Sequence, residues 1–248
     1  MSSALSPQEI ERYARHLVIR DVGGPGQQKL RAAHVAVVGV GGLGAPCLLY
    51  LAAAGIGALT LIDDDTVSLS NLQRQVIHPT SRVGDPKVRS AADALHDVNP
   101  HVAVHTHQAR LSSGNAHDLL QCADVVVDGS DSFETRAHVA TACQELNVPL
   151  VTGAVSVWDG SLTVIAPHLS KPGGDHYPRF TDLFPSPPAP GSLPTCAEVG
   201  VIGALTGMLG TMQAMEVIKL ITGAGEPLFG RLLLVNALTM RFDEIAYG

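Results

Sequence analysis

The stretch Val35-Ala36-Val37-Val38-Gly39-Val40-Gly41-Gly42-Leu43-Gly44, with Ala58-Leu59-Thr60-Leu61-Ile62-Asp63-Asp64-Asp65 behind it, decides the fold. A short, valine-rich apolar run bounded by glycine reads as a buried strand. It leads into Gly39, Gly41 and Gly44 with the spacing G-x-G-x-x-G. Glycines at these places allow a tight turn and let backbone N–H groups approach a phosphate at the start of the next helix. The second apolar strand ends in three acids, and a carboxylate there can accept hydrogen bonds from ribose hydroxyls. Alone, this pattern fits any NAD-binding dehydrogenase.

Two further motifs separate the readings. Ser70-Asn71-Leu72-Gln73-Arg74-Gln75 and Val83-Gly84-Asp85-Pro86-Lys87 add two cations, Arg74 and Lys87, that a nicotinamide site does not require. Nucleotidyl transfer does require them, to hold a triphosphate and neutralise charge on its leaving group. Asp85 as N-cap and Pro86 as first helical residue predict a helix running through Ala91, Ala92 and Leu95. Lys87 then stands in a first turn, where the helix dipole disfavours a cation and a docked anion would relieve the conflict. Further on, Val125-Val126-Val127-Asp128-Gly129-Ser130-Asp131 reads as a buried strand ending in carboxylates at the ligand edge of the sheet. A carboxylate here suits magnesium, a hard cation that takes oxygen ligands. Asp128 reads as a strand-end acid bonded to nearby backbone.

Outward from this centre the chain alternates strands and helices. Ser6-Pro7-Gln8-Glu9 is a capping-box pattern opening an N-terminal helix. Strands are expected at residues 35–38, 58–62, 102–106, 125–127 and 149–152, which predicts an α/β fold: a doubly wound, Rossmann-like, mostly parallel sheet. Residues 161–166 follow, and residues 168–194, rich in Pro, Gly and Ser, read as one long loop. Met208, Met212 and Met215 lie on a later helix as core filler. Strands near 232–235 and 239–245 close the chain as an antiparallel extension. The expected organisation is a single domain over 1–248, with a helical arm (1–30), a nucleotide-binding part (31–155) and a crossover loop with a C-terminal part (156–248).

A chain of 248 residues, 46% hydrophobic, is long enough to bury a large core. Its net charge of −7 argues against nucleic acid or a membrane surface as partner. No leader pattern or bilayer-length apolar run stands out, so a soluble cytoplasmic protein is expected. Cys47, Cys122, Cys143 and Cys196 are scattered and form no C-x-x-C pair or disulfide framework. Cys47, on the helix after the glycine turn, reads as core.

These motifs, in order and at compatible spacing, resemble the ThiF/MoeB/HesA family, bacterial relatives of the ubiquitin-activating enzymes. The likeness extends from Arg12-Tyr13-Ala14-Arg15-His16 to Leu232-Leu233-Leu234-Val235-Asn236-Ala237. It implies an adenylyltransferase that uses ATP and Mg2+ to adenylate the C-terminal glycine of a small ubiquitin-fold sulfur-carrier protein ending in Gly-Gly. Pyrophosphate is released, and the setting is molybdopterin- or thiamine-type sulfur transfer with a cysteine desulfurase or rhodanese as sulfur donor. The resemblance implies catalytic roles for Arg74, Lys87, Asp131 and Arg15, with magnesium on Asp131. It implies nucleotide contacts from Gly39, Gly41, Gly42, Gly44, Asp63, Asp65, Ser70, Asn71 and Ser132, the last standing where the family carries Asn. It further implies a homodimer in which Arg15 reaches the neighbouring ATP. From sequence alone, Arg12 and Arg15 lie three apart on one helix face, where solvated charges are common.

Two departures concern cysteine. Relatives carry a cysteine at the place of Cys196 that in some members joins sulfur transfer; an isolated cysteine is more often a small buried apolar residue. Many members also hold a structural zinc with two C-x-x-C pairs. Here residues 176–185 stand where the first pair would fall, and the sequence reaches Ala246-Tyr247-Gly248 where the second would follow. Both pairs are missing, so zinc is not expected; His168, Asp175 and His176 could mimic a partial site, but loop histidines are more often solvated. Phe180, Leu183, Phe184 and Phe242 are expected to anchor the loop and final strands instead. An NAD-dependent oxidoreductase, a noncatalytic scaffold of the same fold, and a relative acting on transfer RNA remain the competing readings.

Overall fold

The central strands are apolar without alternation because both of their faces are covered. In the computed structural model, which describes residues 4–188 and 200–248, β1 (His34–Val38), β2 (Ala58–Ile62) and β4 (Val125–Asp128) are buried almost throughout. With β3 (Ala103–His107), β5 (Leu150–Ser156), β6 (Asp159–Ile165), β7 (Arg231–Asn236) and β8 (Arg241–Ala246) they form one sheet in the order β3-β2-β1-β4-β5-β6-β7-β8. The first five strands in this order pair in parallel, and β6, β7 and β8 add on antiparallel. The winding reverses between β1 and β4, and a crevice opens at the carboxyl ends of strands at such a switch point.

Helices α3 (Gly23–Ala32), α4 (Gly44–Ala54), α5 (Lys87–Val98) and α9 (Gly203–Thr222) share a core that includes Leu30, Leu48, Leu51, Leu95 and Leu209. On the other face α6 (Ala116–Leu120) and α7 (Phe133–Leu146) bury Leu120 and Val139 against Val126 and Leu150. Cys47 is fully buried in the first of these cores, and burial pushes its thiol far up, so it is inert filling.

The N-terminal capping box forms: Glu9 N–H donates to Ser6 Oγ at 3.2 Å and Ser6 N–H to Glu9 Oε2 at 2.7 Å. The helix it opens is shorter than expected. Tyr13, at φ −98° and ψ 13°, separates α1 (Pro7–Arg12) from α2 (Ala14–Leu17), so Arg12 and Arg15 do not share one continuous helix. The buried Tyr13 ring sits so close to Gly55 that a Cβ there would come within 2.5 Å of it, and its hydroxyl accepts from Asn99 Nδ2 at 2.9 Å.

Other expectations are corrected by tertiary pairing. Asp85 does not cap α5: Pro86 occupies the N-cap position and Asp85 pairs with Arg82 at 3.2 Å. Residues 85–87 run beside 65–67, with Val67 N–H donating to the Asp85 carbonyl and Lys87 N–H to the Asp65 carbonyl, which keeps that backbone extended. Met208 and Met212 pack on the core, whereas Met215 is 55% exposed. The expected loop contains a packed turn, α8 (Phe180–Leu183), whose buried Phe180 meets Phe133 and Phe184 at ring distances of 5.8 and 5.0 Å. Phe242 anchors nothing of this kind, because the edge strand β8 leaves it 45% exposed. Tyr247 is what ties the last strand down, its hydroxyl lying 2.8 Å from Thr163 Oγ1.

Candidate active site

The glycine turn lies in the β1/β4 crevice because only glycine fits there. Gly39 has φ +89°, and a Cβ on it would stand 2.8 Å from the Gly129 carbonyl oxygen across the crevice. A Cβ on Gly44 would collide with the Gly39 carbonyl oxygen, so this third glycine closes the turn rather than facing a ligand. Between them the Val40 peptide is gripped at both ends. Its N–H donates to Asp63 Oδ2 at 2.7 Å, and its carbonyl lies 3.1 Å from His78 Nε2. A carbonyl only accepts, so Nε2 carries the proton and Nδ1 accepts from Ser90 Oγ at 3.0 Å.

Asp63 also accepts the Asp65 N–H, at 2.9 Å. Burial pushes its carboxyl above the usual range, opposed by Lys87 and by the two backbone donors. Burial likewise holds His78 below an ordinary histidine; the bond to Val40 opposes this and the Lys87 charge adds to it. Lys87 stands in the first turn of α5, as its position implied, but it is not solvated. Its side chain is 6% exposed and Nζ donates to Asp65 Oδ2 at 2.7 Å. Asp64 is held instead by Arg110, at 3.1 Å.

Across the crevice Asp128 is fully buried. It accepts from the Ser130 N–H and hydroxyl, from Thr152 Oγ1 at 2.8 Å and from Arg136 Nε at 2.9 Å. The strand-end reading of Asp128 therefore holds, with an ion pair added. Arg136 also donates to the carbonyls of Ser130 and Gly153, which fixes the loop carrying Asp131 and Ser132.

These elements enclose a cavity of about 530 Å³. Gly39, Gly41 and Gly42 form one side, Asp63 and Asp65 another, and Arg74, Lys87, Asp131 and Ser132 complete it. Ser70 and Asn71 do not line it; they build the turn that carries Arg74, whose Nη1 donates to the Ser70 carbonyl at 3.3 Å. Arg15 is exposed on α2 and lies outside this cavity. Cys196 falls outside the described residues.

The residue set and its placement have relatives. The profile of the ThiF family matches residues 13–247. The chain belongs to the ThiF family. The SAMP-activating enzyme E1 of Haloferax volcanii is 43% identical over 247 residues, covering 100% of the chain and 88% of that protein. A sulfur carrier protein adenylyltransferase of Thermus thermophilus is 44% identical over 238 residues, covering 96% and 87%. A probable adenylyltransferase/sulfurtransferase, MoeZ of Mycobacterium tuberculosis, is 46% identical over 244 residues, 98% of the chain but only 62% of that longer protein. Among solved structures, PaaA superposes with a TM-score of 0.81 at 25% identity, covering 100% of the chain and 76% of PaaA. MccB of E. coli with ATP gives 0.79 at 22%, covering 96% and 71%, a likeness of fold.

Within this ThiF fold, some residues that shape the site are not legible from the sequence. His78 and Arg136 act on backbone and on Asp128 across gaps that no local spacing reveals. Gln75 and Arg110 line the cavity as well. Gln75 sits inside the motif that carries Arg74, and that adjacency is the one signal for it in the sequence.

Proposed function

We propose that the chain is an adenylyltransferase that uses ATP to adenylate the C-terminal glycine of a small ubiquitin-fold sulfur-carrier protein ending in Gly-Gly. The names of relatives 43–46% identical support both the reaction and the substrate class. The observation that carries the reading is the gathering of Arg74, Lys87 and Asp131 around one cavity beside the glycine turn. A nicotinamide site would leave all three without a role.

The carrier's carboxylate is already ionised at neutral pH and needs no general base to attack the α-phosphorus. The bond to pyrophosphate breaks as the acyl–phosphate bond forms, so the protein contributes positioning and charge neutralisation. Lys87 suits charge neutralisation, because the pairing with Asp65 holds its ammonium in place at the cavity edge. Arg74 supplies a second cation from the opposite turn. Asp131 fits magnesium, since its carboxylate is exposed on the cavity wall and a hard cation takes oxygen ligands. Bound there, magnesium would neutralise phosphate charge. Asp63, Asp64 and Asp65 lie close enough to hold a cation, yet each is engaged, by backbone N–H groups, Arg110 and Lys87 respectively.

Arg15 completes the reading only in a homodimer, where the exposed α2 of one subunit would reach the neighbour's cavity. Val18 and Ile19, exposed just beyond α2, suit such an interface. A cysteine desulfurase or rhodanese donor and a cytoplasmic setting belong to the same reading. Among the described residues no helix is long and apolar enough to cross a membrane. The deciding experiment is ATP–pyrophosphate exchange in the presence of small carriers ending in Gly-Gly, alongside calorimetric titration with ATP and with NAD. Carrier-dependent exchange and ATP binding are expected; NAD binding without ATP affinity would overturn the reading.

A further inference from the structure

One polar side chain on the cavity wall has an unmade hydrogen bond. Gln75 follows Arg74, is only 4% exposed, and its buried Oε1 has no hydrogen-bond partner. Its Nε2 faces the glycine turn, 3.4 Å from where a Cβ on Gly41 would stand, and both residues line the cavity. The Gln75 N–H donates to the Asn71 carbonyl at 3.0 Å, so the turn that presents Arg74 also holds the Gln75 backbone. Buried polar atoms are nearly always paired in folded proteins, and an exception calls for an explanation. Gln213 also has an unpaired Oε1, but its Nε2 is committed to the Asp128 carbonyl at 2.8 Å and it does not line the cavity.

We propose that Gln75 contacts the nucleotide directly, its carboxamide donating a hydrogen bond to a phosphate oxygen of the triphosphate seated on the glycine turn. The proposal rests on the ATP reading. A phosphate oxygen only accepts, so the contacting atom is the amide nitrogen. Nε2 already faces the glycine turn, so the amide presents its donor to that phosphate without rotating. Gln75 would add direction where Arg74 and Lys87 add charge: a neutral donor fixes the orientation of the phosphate without binding pyrophosphate more tightly through charge. The buried Oε1 remains a cost carried by the protein, offset in the complex by the bond that Nε2 makes to the phosphate.

In the test, stability and affinity move in opposite directions. Gln75→Met keeps the length of the side chain and removes both hydrogen-bonding atoms; Gln75→Glu keeps the shape and removes the donor. The free Gln75→Met protein should melt no lower than wild type, while its dissociation constant for ATP in calorimetry rises about tenfold or more. Gln75→Glu should bind ATP more weakly still, because a carboxylate repels phosphate. A Met variant that melts lower yet binds ATP normally would assign Gln75 to the fold and overturn the proposal. A Glu variant that binds ATP as wild type does would mean that the partner is a donor, which overturns it too. Wild-type protein without ATP binding or exchange would sink the adenylation reading itself; active wild type with an equally active Met variant sinks only the role of Gln75.

Discussion

Lys87 shows how one residue's role depends on its neighbours. An ammonium 6% exposed in the first turn of a helix is disfavoured by both burial and the helix dipole, and the Asp65 carboxylate at 2.7 Å offsets both. Replacing Lys87 or Arg74 by Ala should lower carrier-dependent pyrophosphate exchange by about a hundredfold or more, the scale of a lost electrostatic stabiliser. Asp131→Ala should act similarly and respond to added magnesium. Near-normal exchange in all three would show that the chemistry lies elsewhere. His78 makes a separate prediction in pH. Burial holds its folded pKa below the ordinary 6.5, so as pH falls the unfolded chain takes up the proton first and stability is lost. His34 and His168, also lowered by burial, act in the same direction. Melting temperature should therefore drop as pH falls below about 6.5, and His78→Gln should flatten that slope. An unchanged slope would remove His78 from the account.

At the scale of elements, the site is two turns pressed together across the β1/β4 crevice. Gly44→Ala would drive a methyl group into the Gly39 carbonyl oxygen, where backbone cannot yield cheaply. The expected cost is about 1–3 kcal/mol or more, with loss of ATP binding, checked by denaturant melts and calorimetry. Facing it, the Asp131 loop hangs on the buried Asp128–Arg136 pair. Arg136→Ala would leave a carboxylate fully buried with only its Ser130 and Thr152 donors. Breaking such a pair costs about 3 kcal/mol, and pyrophosphate exchange should fall as the loop loosens. A variant as stable as wild type would mean that the pair is decorative.

For the whole molecule, two expectations remain to be measured. In the homodimer reading, inactive Arg15→Ala mixed with inactive Lys87→Ala should regain activity through heterodimers that hold one intact site. Proven subunit exchange without recovered activity would place Arg15 outside the neighbour's site. The second concerns metal. Among the described residues, His168, Asp175 and His176 do not gather into a group able to hold an ion, and the same region is held by the Tyr177–Phe229 ring contact at 4.8 Å, the Phe133–Phe180–Phe184 cluster and the Tyr247–Thr163 bond. Elemental analysis of chelator-treated, active protein should find no stoichiometric zinc; zinc whose removal unfolds the chain would overturn this.

The sequence by itself determined the strands, the glycine turn and the cationic pair, because each is written within a few residues. A valine run that ends in a glycine turn has few foldings, and G-x-G-x-x-G joins strand to helix over a span too short to be rearranged. Even the family could be read this way, from five motifs in order. Only the tertiary structure decided which acid does what. Asp63, Asp64 and Asp65 are chemically alike and adjacent, yet one braces the Val40 peptide, one meets Arg110 and one holds Lys87. It also ended the first helix at Tyr13, moved the start of α5 past Asp85, and turned part of a Pro-rich loop into the packed α8. In each case a contact distant in sequence outweighed a local preference worth about 1 kcal/mol, since burying an aromatic ring or pairing extended backbone contributes more than a cap.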